Sequence, residues 1–152
     1  MSLAHPLNQS LNDPALAAEP TVTATAGPWQ ATASTNHRDR IGAELTELAV
    51  ARATPGPGTV RAWADQFANQ SRGLPDPVKL LEVDPSRDEA ILRSTPNKTE
   101  RRVDYYEVKM QGTSKASVKR YAATDGKRES IPFTITHEGL GRLVDDLAGS
   151  QK

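Results

Sequence analysis

VDYYEVKMQGTSKASVKRYA, residues 103–122, is the stretch that decides the fold. From Val103 to Met110 the residue types alternate, with Tyr106, Val108 and Met110 on one side and Tyr105, Glu107 and Lys109 on the other. A period of two is the signature of a half-buried strand. Gln111-Gly112-Thr113-Ser114 is a short polar loop. Beyond it Ala116, Val118 and Ala122 alternate with Lys115, Ser117, Lys119 and Tyr121. Two alternating runs around a glycine-containing loop predict an antiparallel hairpin. Arg120 breaks the pattern, because strict alternation turns it inward, so a bulge or strand end is expected there.

Downstream, Thr124-Asp125-Gly126-Lys127 predicts a turn, and Ile131, Phe133 and Ile135 predict a third strand. Pro132 marks that strand as an edge or as a start, since proline cannot donate to a ladder. Thr136 then caps a helix whose Leu140, Leu143, Val144 and Leu147 fall on one stripe, ended by Gly149. That helix is expected to cover the sheet. Gly139 and Gly141 weaken it unless a neighbouring backbone approaches closely.

Upstream, Val78–Val83 and Ala90–Ser94 read as weak strands separated by Asp84-Pro85-Ser86-Arg87-Asp88. Val60, Trp63, Ala64, Phe67 and Ala68 lie at helical spacing behind the capping residue Thr59, predicting a helix to about Ser71. Ile41, Leu45, Leu48 and Ala49 have the same kind of spacing and predict a helix over 36–53, stopped by Thr54-Pro55-Gly56-Pro57-Gly58. Residues 1–35 are rich in Ala, Thr, Pro, Asn and Ser, so a disordered tail is expected; the alternative is a short amphipathic turn of Leu3, Leu7 and Leu11 formed on a partner, tightly framed by Pro6 and Pro14. The reading is an α+β chain: disordered tail 1–35, helical segment 36–72, and an antiparallel sheet with one covering helix over 73–152.

The chain has 152 residues, 36% hydrophobic and 5% aromatic, with 11 prolines and 10 glycines. That is little material for a core using every residue, so part of the chain is expected to stay outside it. No cysteine is present, so disulfides and thiolate metal sites are excluded. Neither a membrane-length apolar run nor a secretory signal is found, and a cytoplasmic protein without membrane attachment is expected.

No catalytic or metal motif occurs. His5, His37 and His137 have no zinc spacing, and Gly56 and Gly58 lack the lysine of a phosphate loop. The expectation is a non-enzymatic protein without cofactor or metal. Charge is nevertheless segregated. Residues 98–128 hold nine basic and four acidic residues, a net +5, within a chain whose 19 basic and 19 acidic residues balance. A basic strand interleaved with tyrosines suits single-stranded nucleic acid, because rings stack on bases and cations neutralise phosphates. The predicted contacts are Tyr105, Lys109, Lys115, Lys119 and Tyr121, with Arg101, Arg102, Lys127 and Arg128 as a phosphate rim. The alternative is a protein-interaction adaptor docking a partner on the helical segment through Leu45, Leu48, Trp63 and Phe67.

The segment from Tyr105 to Leu147 resembles the single-strand-binding domain of positive-cofactor-four-type transcriptional coactivators, and more distantly the Pur-alpha repeat. The features shared are the strand ending at Gln111-Gly112, the basic-aromatic strand with Lys119-Arg120-Tyr121, the Asp125-Gly126 turn, the strand Phe133–Thr136 and the closing leucine-rich helix. The resemblance implies binding of single-stranded DNA or RNA on a curved sheet. It also implies a homodimer formed through the C-terminal helix, here Leu140 to Leu147.

Overall fold

The computed structural model describes residues 2–151, and in it nearly the whole chain contributes to one antiparallel sheet. Helix α1 (Ala4–Leu11) and one 3-10 turn (Pro14–Leu16) lead into β1 (Thr21–Ala26), β2 (Trp29–Arg38) and β3 (Gly42–Arg52). Helix α2 (Val60–Gln70) follows, then β4 (Val78–Asp84), β5 (Glu89–Ser94), the two-residue β6 (Asn97–Lys98), β7 (Arg102–Gln111) and β8 (Lys115–Thr124). The chain closes with β9 (Lys127–Ile131), β10 (Phe133–Thr136) and α3 (His137–Gly149). The strand order is β1-β2-β3-β8-β7-β5-β4, with β6 on β7, β9 on β8 and β10 on β3.

All three helices lie on one face. There α1 rests on β1 and α3, α2 on β4 and β5, and α3 on β3 and β10. The residues they cover alternate along the strands, for example Ala31 and Ala33, Leu48 and Val50, Val108 and Met110, and Ala116 and Val118. Burial of this kind stabilises by about 25 cal/mol per Å2 of apolar surface. Trp63 is the anchor between layers. Its ring lies 5.9 Å from that of Trp29, and its Nε1 donates to the Leu147 carbonyl at 2.9 Å.

The hairpin of β7 and β8 is as the alternation predicted, in unbroken register from Arg102↔Thr124 to Gln111↔Lys115. The bulge expected at Arg120 is absent. Arg120 does face inward, but at the margin of the covered layer, 5.3 Å over the Tyr106 ring and 3.5 Å from the Asp104 carboxylate. Its charge is thus compensated without a change of register. The Asp125–Gly126 turn is also as predicted, with φ of 52° and 79°, a left-handed conformation that glycine adopts freely. The third strand is split. β9 pairs with β8, whereas β10 pairs with β3, and Pro132, which has no N–H, lies at the break. The two pieces fill a wedge, since β3 and β8 pair directly only over Leu48–Ala51 and Lys115–Val118.

Two upstream expectations are corrected. Residues 42–52 form β3, not a helix. The register with β2 jumps from Ser34↔Glu47 to Thr35↔Leu45, so Thr46 is an extra residue. Such a bulge places Leu45 and Leu48, three apart, on the same face and thereby imitates helical spacing. Only Val60–Gln70 is helical in the segment 36–72, with the capping Thr59 Oγ accepting from the Ala62 N–H at 3.1 Å.

Residues 2–35 likewise carry structure where disorder is expected over 1–35, Met1 lying outside the described residues. Leu3, the N-cap of α1, and Leu7 and Leu11 on its inner face are buried, and so are Val22, Ala24, Ala31 and Ala33 along β1 and β2. The N-cap residue of α1, Leu3, has no side chain that can cap, and locally only Ser2 Oγ accepts, from the Ala4 N–H at 3.2 Å. Asp145 on α3 supplies the cap, Oδ1 accepting from the N–H of Leu3 at 2.7 Å and of Ala4 at 3.3 Å. Gly141 is what permits this contact, because a Cβ there would stand 2.8 Å from that of Ala4.

Candidate nucleic-acid interface

The face opposite the helices is uncovered, and alternation delivers its side chains. β7 presents Tyr105, Glu107 and Lys109, β8 presents Lys115, Ser117, Lys119 and Tyr121, and β5 presents Glu89 and Arg93. Four of the predicted contacts converge. Lys109, Lys115, Lys119 and Tyr121 surround Ser117 in a shallow trough of about 230 Å3, whose wall also includes Glu47 and Glu107. The trough exists because Ser117 and its cross-strand neighbour Ala49 are small while the lysines around them are long.

Two of these lysines already have acidic neighbours. Lys109 Nζ lies 3.5 Å from Glu89, and Lys119 Nζ lies 3.5 Å from Glu47. Both pairs are partly solvated, and an ion pair of this kind is worth only about 0–1 kcal/mol. Lys115 makes no ion pair among the described residues. Two of the nine basic residues of this stretch, Lys109 and Lys119, are thus paired in space with carboxylates from outside it, and the stretch stays net positive.

Beside the trough is a tighter cluster. The side chain of Glu107 is only 7% exposed and accepts from Arg93 Nε at 2.9 Å and from Arg128 Nη1 at 3.0 Å. Arg128 lies 3.9 Å over the Tyr121 ring and donates to the Tyr105 hydroxyl at 3.2 Å, while Arg93 lies 5.0 Å over the Tyr105 ring. The hydrogen bond to Tyr105, then that to Glu107, raises the Arg128 pKa above that of an ordinary guanidinium. Tyr105 and Tyr121 pack with ring centroids 6.0 Å apart. Both tyrosines thus already have a guanidinium against them, and Arg128 belongs to this cluster more than to a free phosphate rim.

The remaining rim residues are dispersed. Arg102 pairs with Asp104 at 2.6 Å, and that hydrogen bond raises its pKa. Arg101 and Lys127 are exposed on either side of the end of the β7–β8 ladder. The residues that sequence reading missed are Glu47, Glu89 and Arg93, which gather around the already expected Glu107, Lys109 and Lys119. They come from β3 and β5, and only the alternation of β5 hinted that Arg93 faces outward.

The alternative docking residues are inaccessible. Leu45, Leu48, Trp63 and Phe67 are all buried in the core, as are Leu140, Leu143, Val144 and Leu147, through which the resemblance implied a dimer. Neither a partner nor a second copy reaches them in the folded chain. Among the described residues no group of three or more His, Cys, Asp or Glu side chains is placed to hold a metal, and no helix is long and apolar enough to cross a membrane. Comparison with protein-family models, curated proteins and solved structures finds no match, so function has to be read from this face itself.

Proposed function

We propose that the chain is a non-enzymatic binding module that holds a single-stranded nucleic acid across the open sheet face. One observation carries this reading: three lysines and Tyr121 converge on the small floor residue Ser117. The trough is shallow and open, which suits an extended strand better than the wide cylinder of a duplex. Tyr121 supplies a stacking edge, and the lysines can exchange carboxylates for phosphates at low cost, since each ion pair given up is worth less than about 1 kcal/mol. Arg101, Arg102, Lys127 and Arg128 are not part of this reduced footprint.

The test is fluorescence anisotropy of a labelled mixed-sequence single strand, with duplex as competitor, from ~50 to ~200 mM salt. Three phosphate contacts predict a slope of log affinity against log salt of about −2, at roughly −0.7 per contact for a single strand. Duplex is expected to compete poorly. Absence of binding at the lowest salt overturns the reading.

A second reading is favoured by a specific observation, the ion pairs Lys109–Glu89 and Lys119–Glu47. They give the face alternating charge, which complements a protein segment of mixed charge better than a polyanion. On this reading single strands do not bind at any salt, and the partner lies on the open sheet face, away from the buried Leu45, Leu48, Trp63 and Phe67.

A further inference from the structure

Strand β4 ends the sheet, and its outer edge has no partner strand among the described residues. Its pairing with β5 is electrostatically unfavourable at both ends. Lys79 is directly opposite Arg93, and Asp84 is directly opposite Glu89. Like charges in opposed positions destabilise a ladder. The β5 members of these pairs are relieved from the other side, Arg93 by Glu107 at 2.9 Å and Glu89 by Lys109 at 3.5 Å. The β4 members are not relieved in that way. Lys79 has no carboxylate within ion-pair distance among the described residues, and Asp84 has only its own turn, accepting from Ser86 Oγ at 2.6 Å with Arg87 at 3.8 Å.

The strand is also self-complementary. Its open-face side chains are Lys79, Leu81, Glu82 and Asp84, and those turned to the covered face are Val78, Leu80 and Val83. Leu81 is the extra residue of a bulge between Leu80 and Glu82. At 56% exposure it is one of two large hydrophobic residues exposed among those described.

We propose that β4 pairs antiparallel with β4 of a second copy of this chain, about a two-fold axis between Leu81 and Glu82. In that register Lys79 faces Asp84 of the second copy, Leu80 faces its Val83, and the two Leu81 side chains meet beside the axis. Every opposed pair then lies on a common face, and the Lys79–Asp84 pair forms twice by symmetry. A slip of one residue sets covered-face side chains against open-face ones. The bulge confines the pairing to Lys79–Leu80 against Val83–Asp84 on each side of the axis. A bulged, charged edge of this kind discourages indiscriminate strand addition and accepts a partner of matching pattern. Joined in this way, the two sheets become one, with both open faces on the same side.

The experiment is sedimentation equilibrium of the full chain over a wide concentration range, with the variants Lys79→Asp and Asp84→Lys. The natural chain is expected to reach twice the single-chain mass as concentration rises. Each variant alone opposes like charges across the axis and is expected to stay monomeric. An equal mixture of the two pairs carboxylate with ammonium at both positions and is expected to restore the dimer. A natural chain that stays monomeric at the highest concentration overturns the proposal, and so do folded variants that dimerise alone or fail to associate when mixed. If Asp84→Lys unfolds the turn at Ser86, a second probe decides. Because the chain has no cysteine, Leu81→Cys is a unique thiol. Mild oxidation is expected to cross-link it to its counterpart, whereas Ile41→Cys, the other exposed apolar position, is expected to remain uncross-linked. Equal cross-linking at both positions overturns the proposal.

Discussion

The two faces of the sheet obey different rules although they share the same strands. On the covered face, Val108, Met110, Ala116 and Val118 meet the helices and have essentially no solvent exposure. On the open face, the residues between them, Lys109, Lys115, Ser117 and Lys119, meet water and one another. Close packing makes the first set sensitive to the loss of a single methylene group. The second is held by partly solvated ion pairs, which rearrange at little cost. Stability should therefore reside on one face and binding on the other.

The sharpest way to break that division is through the core. Trp63→Ala removes the contact with Trp29 and the hydrogen bond to Leu147, and should cost ~3–5 kcal/mol in urea unfolding. A chain that lost binding but kept its stability would contradict the assignment. Gly141→Ala should cost about 1–3 kcal/mol by forcing α1 away from α3, read as faster amide exchange in residues 4–11 with the sheet unaffected.

Glu107 tests the division from the other side, because it belongs to the open face yet is nearly buried. Glu107→Ala leaves Arg93 and Arg128 without their shared acceptor, and on the order of 1–3 kcal/mol should be lost. Lys119→Glu should reduce single-strand affinity on the order of tenfold, about 1.4 kcal/mol, with less than about 1 kcal/mol change in stability. Glu47→Gln and Glu89→Gln free Lys119 and Lys109 and should tighten binding instead. If they weaken it, the protein-segment reading gains.

The smallest effect is expected in the turn between β2 and β3. There the Asp39 carboxylate accepts from the N–H groups of Gly42 and Ile41, which lowers its pKa. With the folded pKa depressed, its contribution is fully present above the ordinary aspartate value of about 3.9 and fades as pH falls through the lower folded value. Asp39→Asn should therefore lower stability slightly at neutral pH, with the difference from the natural chain shrinking as pH falls below about 4, read by unfolding at a series of pH values.

Legibility in the sequence followed the strength of the local pattern. The β7–β8 hairpin, α2 and α3 were readable because alternation, helical spacing and the caps Thr59 and Thr136 agree with one another. β3 was read as a helix because its bulge at Thr46 converts a period of two into a spacing of three. β1 and the first seven residues of β2 carry no strand signal because alanine and threonine alternate there with too little hydrophobicity to show, and their burial depends on α1 and β3. Lys109, Lys115, Lys119 and Tyr121 were legible as one cluster because they share a hairpin. Their compensation by Glu47 and Glu89 was not, because the carboxylates come from strands remote in sequence.

By itself the sequence determined the α+β class, the absence of thiol chemistry, and which side of the hairpin carries lysine and tyrosine, since periodicity and composition act over a few residues. The tertiary structure alone decided that residues 21–52 extend the same sheet, that Trp63 and the α3 leucines are core, and that Lys109 and Lys119 of the locally basic segment meet carboxylates of other strands. Those outcomes depend on which strands become neighbours, and charge is summed over distance in space, not along the chain.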